Sequence, residues 1–118
     1  MQQYLISDLA KRTQLPTDTI RFYEKKQLIK SCYRADNNYK YYDNETLKRL
    51  IFIKRCRALD MTLNEITQLL AQIQQPKQGC KVIDRLIEEH LQHVESRLQD
   101  LQNFKSQLYE LRQSCSSN

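Results

Sequence analysis

The sequence predicts a mainly α-helical chain, with a compact head of short helices followed by one long helix. Three observations predict it. Gly occurs once and Pro twice in 118 residues, too few for a loop-rich or all-β fold. In the first 75 positions, apolar residues recur at helical spacing in two pairs of short runs, separated by one tyrosine-rich stretch. From Cys80 to Cys115 a single alternating three-four repeat continues, apolar except where His90 and Arg97 fill two of its positions.

The first segment reads as two short helices around a tight turn. Ser7 is a plausible N-cap for Asp8-Leu9-Ala10-Lys11-Arg12. Gln14-Leu15-Pro16 breaks the pattern, and Thr17 can cap the next helix with Asp18 in its first turn. Ile6, Leu9, Ala10, Leu15, Ile20 and Phe22 supply a small core, so Phe22 is expected to point inward and Arg21 and Tyr23 outward. Two short helices around a compact turn match a helix-turn-helix, whose second helix enters the major groove of DNA.

Ser31 to Tyr42 follows, with tyrosines flanking Asp36-Asn37-Asn38. This reads as a short β-hairpin, because Asn tolerates positive φ better than most residues. A hairpin beside a helix-turn-helix is a wing, and Arg34, Tyr39 and Lys40 would reach the sugar-phosphate backbone from it. Asp43 then caps a helix carrying Leu47, Leu50, Ile51, Ile53 and Leu59. Cys56 lies on its apolar side and reads as a buried structural thiol. Thr62-Leu63-Asn64-Glu65 has capping-box spacing, so a new helix starts after Met61. The linker 76–79 ends it, bracketed by Pro76 and Gly79.

The long helix carries Ile83, Ile87, Val94, Leu101, Phe104, Leu108 and Leu111 on one seam, with His90 and Arg97 at intervening positions. Leu86, Leu91 and Leu98 widen the stripe enough to pack on the head. Alone, such a helix would leave its stripe wet, so a homodimer is expected. The heptads leave strand direction open. Cys80 and Cys115 stand 35 residues apart, roughly 50 Å along a helix, so they cannot share a ligand within one straight chain. Antiparallel pairing would bring Cys80 of one protomer to Cys115 of the other; parallel pairing would place like cysteines together.

Composition narrows the function. Hydrophobic residues are 40% and charged residues 28%, as in ordinary soluble proteins. No apolar run reaches transmembrane length. Met1-Gln2-Gln3-Tyr4 lacks the basic and apolar regions of a secretory signal, so a cytoplasmic location and reduced cysteines are expected. The cysteines show no CxxC pairing, which argues against a zinc ribbon or thioredoxin-type site. Residues 1–60 hold 13 Lys/Arg against 7 Asp/Glu, and residues 61–118 hold 6 against 7. The net charge of +5 therefore resides in the head, with six of the seven tyrosines. A basic, tyrosine-rich head suits a polyanion. No nucleophile–base pair, phosphate-binding glycine loop or carboxylate cluster points to an enzyme.

The run Ile20-Arg21-Phe22-Tyr23-Glu24, then Arg34-Ala35-Asp36-Asn37-Asn38-Tyr39-Lys40-Tyr41-Tyr42, resembles the MerR family of transcription regulators. The resemblance covers the whole chain. The stretches Phe52–Met61, Gly79-Cys80, Glu89-His90, Val94–Arg97 and Glu110–Cys115 are similar to its cadmium/lead-responsive branch. The resemblance implies a winged helix-turn-helix DNA-binding domain with a second helical pair over 1–75. It further implies an antiparallel coiled-coil dimerisation helix over 80–114, and a tail over 115–118 that starts a metal-binding loop.

It implies double-stranded promoter DNA, a second copy of the chain and RNA polymerase on the same promoter as partners, with no membrane. Arg21 and Tyr23 would hold DNA from the recognition helix, Arg34, Tyr39 and Lys40 from the wing, and Arg57 from the second pair. Thr17 and Asp18 would approach base edges, although a carboxylate near phosphate is repelled unless it accepts from cytosine. The effector would be a soft ion, Cd2+ or Pb2+ first and Zn2+ or Hg2+ as alternatives, held by Cys115 and the other protomer's Cys80. Thiolates favour such ions. Binding would make the dimer bend and untwist the promoter, aligning its −35 and −10 elements.

Two departures stand out. The branch usually carries a third Cys several residues beyond Cys115, and its absence marks either a naturally short protein or a truncated chain. Asn38 stands where the family usually has Gly. Two other readings remain: a redox or electrophile sensor using the same cysteines, and a coiled-coil structural or metal-sequestering protein without DNA binding.

Overall fold

The computed structural model describes residues 2–116. The chain divides into two compact units, Met1–Pro76 and Lys77–Asn118. The elements are α1 (Ile6–Thr13), α2 (Thr17–Lys25), β1 (Tyr33–Arg34), β2 (Lys40–Tyr41), α3 (Asn44–Ala58), α4 (Leu63–Gln74) and α5 (Lys81–Ser116).

In the first unit, α1 starts earlier than its hydroxyl residue suggests. Asp8 Oδ2 reaches back to accept the Leu5 N–H at 2.9 Å, so Leu5 is the N-cap and Ser7 falls within the first turn. The N-cap of α2 is likewise Pro16 and not Thr17. Its carbonyl accepts from the Thr19 and Ile20 amides at 3.1 and 3.2 Å, and its ring supplies the extended backbone that a cap needs. Asp43 and Thr62 cap as expected. Asp43 Oδ1 accepts from the Thr46 amide at 2.9 Å, and Thr62 and Glu65 form a reciprocal box.

The helix-turn-helix bend runs through Gln14, which takes a left-handed conformation at φ 60°. Thr13 Oγ1 donates to the Leu9 carbonyl and accepts from the Leu15 amide, closing this turn from within. The Lys54 ammonium, from α3, donates to the Thr13 carbonyl at 2.7 Å and satisfies the end of α1.

The hairpin is antiparallel, with Tyr33 opposite Tyr41 and Arg34 opposite Lys40. Asn38 takes φ 68° in its turn, so the Asn accepts the left-handed conformation that Gly adopts more easily. The chain before α1 adds a third segment that the sequence reading missed. Tyr4 and Tyr42 exchange both backbone hydrogen bonds at 2.8 Å.

The core joins all these pieces. Tyr4, Leu9, Ile20, Tyr23, Leu28, Ile29 and Tyr42 pack with Leu47, Leu50, Ile53, Cys56, Met61, Ile66 and Leu70. At about 25 cal/mol per Å2 of apolar surface, each fully buried Leu or Ile contributes roughly 2 kcal/mol.

The second unit is built on α5, 36 residues long. The Cys80 carbonyl accepts the Asp84 amide at 3.0 Å, which makes Cys80 the residue that opens the helix. Of the expected tail at 115–118, Cys115 and Ser116 are helical and belong to α5. Ser117 and Asn118, the rest of that tail, lie outside the described residues.

Candidate nucleic-acid interface and thiol sites

Helix α2 presents a different outer face from the one expected. Tyr23 is buried, at 6% exposure, and Phe22 is open at 42%. Ile20 anchors α2 in the core at 0% exposure. Tyr23, three residues on, shares its face, whereas Phe22 is turned about 200° away. The expected inward Phe22 is thus reversed by the register that Ile20 imposes. Beside Phe22, the Lys26 ammonium stands 5.7 Å from the ring centroid. Asp18 and Arg21 form an exposed pair at 3.1 Å one turn apart.

A concavity of about 600 Å3 separates α2 from the wing. Arg21, Lys25, Arg34 and Lys40 line it, with Tyr39, and Glu24 is its one acidic lining residue. Arg34 Nη1 donates to Asn38 Oδ1 at 3.0 Å, which fixes the guanidinium against the wing turn. Tyr39 is widely exposed at the wing tip. Lys40 Nζ donates to Glu24 Oε2 at 2.7 Å, and the Tyr42 hydroxyl donates to Glu24 Oε1. Burial pulls the Glu24 carboxyl upward, but those two hydrogen bonds and the Lys40 charge outweigh it and hold it below the ordinary value. Burial, and then Glu24, push the Tyr42 phenol well up.

A second cleft, of about 260 Å3, gathers Asp18, Thr19, Phe22, Tyr23, Arg57 and Leu63. Arg57 Nη1 donates to the Met61 carbonyl at 2.7 Å, so one arm of the guanidinium is held while the residue stays exposed. Four of the eight DNA candidates, Arg21, Arg34, Tyr39 and Lys40, thus meet in the first concavity. Asp18, Tyr23 and Arg57 meet in the second, and Thr17 lines neither. Glu24 and Lys25 escaped the sequence reading. Their spacings from Arg21, three and four residues, place both on its face of the helix and were the signal available.

All four cysteines are free thiols. Cys56 is buried, as expected, and burial pushes its thiol up. Cys32 is exposed, and its thiol is held up chiefly by its hydrogen bond to the Asp43 carboxylate. Cys80 is half-buried at the start of α5 and Cys115 is exposed near its end. Among the described residues, no three of His, Cys, Asp and Glu gather in a metal-binding group. Accessible thiols stand at Cys32 just before the wing and at Cys80 and Cys115 at opposite ends of α5, so an ion on the α5 pair would have two thiol donors. That set fits a soft ion needing few ligands, and it leaves a tetrahedral zinc shell incomplete.

A basic concavity between a short helix and a two-stranded wing, followed by a long helix with an open apolar face, defines a winged helix-turn-helix regulator. The profile described as "MerR HTH family regulatory protein" matches residues 4–73, and that described as "MerR, DNA binding" matches residues 47–111. The chain is 38% identical over 113 residues to the HTH-type transcriptional regulator ZntR homolog of Haemophilus influenzae, covering 96% of this chain and 84% of that protein. Among solved structures it is similar to the transcription regulator PbrR691 from Ralstonia metallidurans CH34 in complex with lead(II). That match has 38% identity and a TM-score of 0.63, covering 92% of this chain and 84% of the other. The promoter-bound regulator HiNmlR shares the fold at a TM-score of 0.72 and 17% identity, over 87% of this chain and 78% of the other. The chain belongs to the MerR family of transcription regulators, in its heavy-metal-sensing branch. Regulators of this family bind promoter DNA as dimers, and the relatives are regulators rather than enzymes. No helix among the described residues is long and apolar enough to cross a membrane.

Proposed function

We propose that this regulator binds its promoter as an antiparallel homodimer and responds to a soft divalent ion held between Cys115 of one protomer and Cys80 of the other. One observation carries the proposal. Cys80 opens α5 and Cys115 lies in its last turns, while Leu91, Leu98, Leu101, Phe104, Leu108 and Leu111 are all exposed along the helix between them. A second α5 running the other way would cover that face and bring the two thiols together. The ion, Cd2+ or Pb2+ first, with Zn2+ and Hg2+ as alternatives, supplies a cross-link between thiolates of different protomers. Arg21, Arg34 and Tyr39 then grip the phosphate backbone, with Arg57 beside the recognition helix. A change at the α5 ends is read out as bending and untwisting of the promoter, which lets RNA polymerase engage.

The test is a titration of the reduced protein with Cd2+ or Pb2+, followed by thiolate-to-metal absorption. Stoichiometric binding is expected in the parent protein, with loss of the band in Cys80→Ser and in Cys115→Ser but retained binding to promoter DNA. Metal binding indifferent to both substitutions would sink the proposal. A second reading, a thiol sensor for oxidants or electrophiles, draws on the same two accessible free thiols. It predicts activation reversed by a reductant and not by a chelator.

A further inference from the structure

We propose that Glu24 is a positioning residue for DNA recognition, and that Lys40 acts as its strut rather than as a phosphate ligand. The inference rests on the reading of α2 and the wing as the DNA-contacting surfaces. Each paired strand of the wing is two residues long, too short to hold an orientation by itself. Its attachment therefore decides where it points. Glu24 lies on α2 with its side chain only 20% exposed, and both its oxygens are engaged. One takes the Lys40 ammonium on β2, and the other takes the Tyr42 hydroxyl one residue past that strand. Tyr42 is itself buried and tied to Tyr4 by two backbone bonds. The carboxylate thus couples recognition helix, wing and N-terminal segment at one point.

Electrostatics supports the assignment. Glu24 stands among Arg21, Lys25, Arg34 and Lys40 in the concavity that would face phosphate. A carboxylate there weakens attraction to a polyanion, so on charge alone the protein would bind DNA better without it. Its two hydrogen bonds identify what it does instead. Phosphate contacts set register and base contacts set sequence, so an altered angle between α2 and wing would cost selectivity more than affinity.

The experiment uses a duplex selected by the full-length dimer from a random-sequence library, and a random duplex of equal length. Affinity for each is measured against salt concentration in Glu24→Gln, Lys40→Met and the double variant, with thermal unfolding alongside. Each single variant should lower the selected-to-random affinity ratio by at least about tenfold, a loss of about 1.4 kcal/mol. The double variant should lose no more than the singles, and the salt slope of Lys40→Met should match the parent. Tyr42→Phe, a milder change on the same carboxylate, should lower the ratio severalfold and covers the case in which Glu24→Gln does not fold. A slope about one unit shallower in Lys40→Met, with the ratio unchanged, would make Lys40 a phosphate ligand and overturn the inference. So would additive effects in the double variant. Parent protein that selects no duplex would overturn the DNA-binding reading together with this inference, whereas a selective parent and an equally selective Glu24→Gln would overturn the inference alone.

Discussion

Asp43 joins two parts of the head through one carboxylate. It accepts from the Thr46 amide and hydroxyl at the start of α3, and from the Cys32 thiol just before the wing. The Thr46 amide is the main reason its carboxyl lies below the ordinary aspartate value. A lowered folded-state value means that its stabilisation is present above the unfolded value, about 3.9, and disappears as the pH falls through the folded one. Asp43→Ala should therefore cost about 1 kcal/mol at neutral pH, the usual loss for a cap. The gap to the parent should narrow below about pH 4. Urea unfolding at neutral and acid pH measures this, and an equal gap at both would show that the charge is not what matters. At this scale the sequence identified the cap, because Asp43 directly precedes an apolar helical run. It could not identify the Cys32 contact, which depends on the hairpin bringing the two residues together.

At the scale of elements, helix ends divide into legible and illegible. Asp43 and Thr62 announce their helices because cap and run are adjacent in the chain. Ser7 and Thr17 mislead because the Asp8 carboxylate bonds the Leu5 amide and sets the start of α1 at Leu5, and because Pro16 supplies the extended N-cap backbone of α2 without a side-chain cap bond. The C-terminal ends of α2 and α3 carry no glycine signal. After α2 the Leu28 amide donates to the Tyr23 carbonyl and the Gln27 amide to Glu24, with Gln27 at φ 63°. After α3 the Met61 and Asp60 amides donate to Cys56 and Arg57, with Asp60 at φ 62°. Both are paired closures of the kind that glycine usually makes. A side chain there costs about 1 kcal/mol, so Gln27→Gly should stabilise the head by roughly that amount. Gln27 is exposed, so no packing is lost. Thermal unfolding checks it, and a lower midpoint would mean that the Gln27 side chain contributes more than its backbone costs.

For the whole molecule the governing feature is the open face of α5. Its large apolar residues from Leu98 to Leu111 are about half exposed or more. A helix this long does not hold such a face in water without a partner. Leu101→Glu with Leu108→Glu should give a monomer in sedimentation. The same variant should lose the Cd2+ absorption band although Cys80 and Cys115 are intact. A monomer that still binds the ion stoichiometrically would disprove a site shared between protomers.

The sequence by itself determined the helical class, the order of helix, turn, helix, hairpin and long helix, and the spacing of Cys80 and Cys115. Each of these depends on local periodicity, on turn residues, or on the fixed rise of a helix, which neighbours along the chain dictate. Only the tertiary structure decided which side of α2 faces out, that Tyr4 pairs with Tyr42, and that Lys40 turns toward Glu24. Those outcomes depend on where Ile20 meets the core and on groups 16 to 38 positions apart in the chain. No periodicity encodes such meetings, because they arise when separate amphipathic pieces bury their apolar faces together.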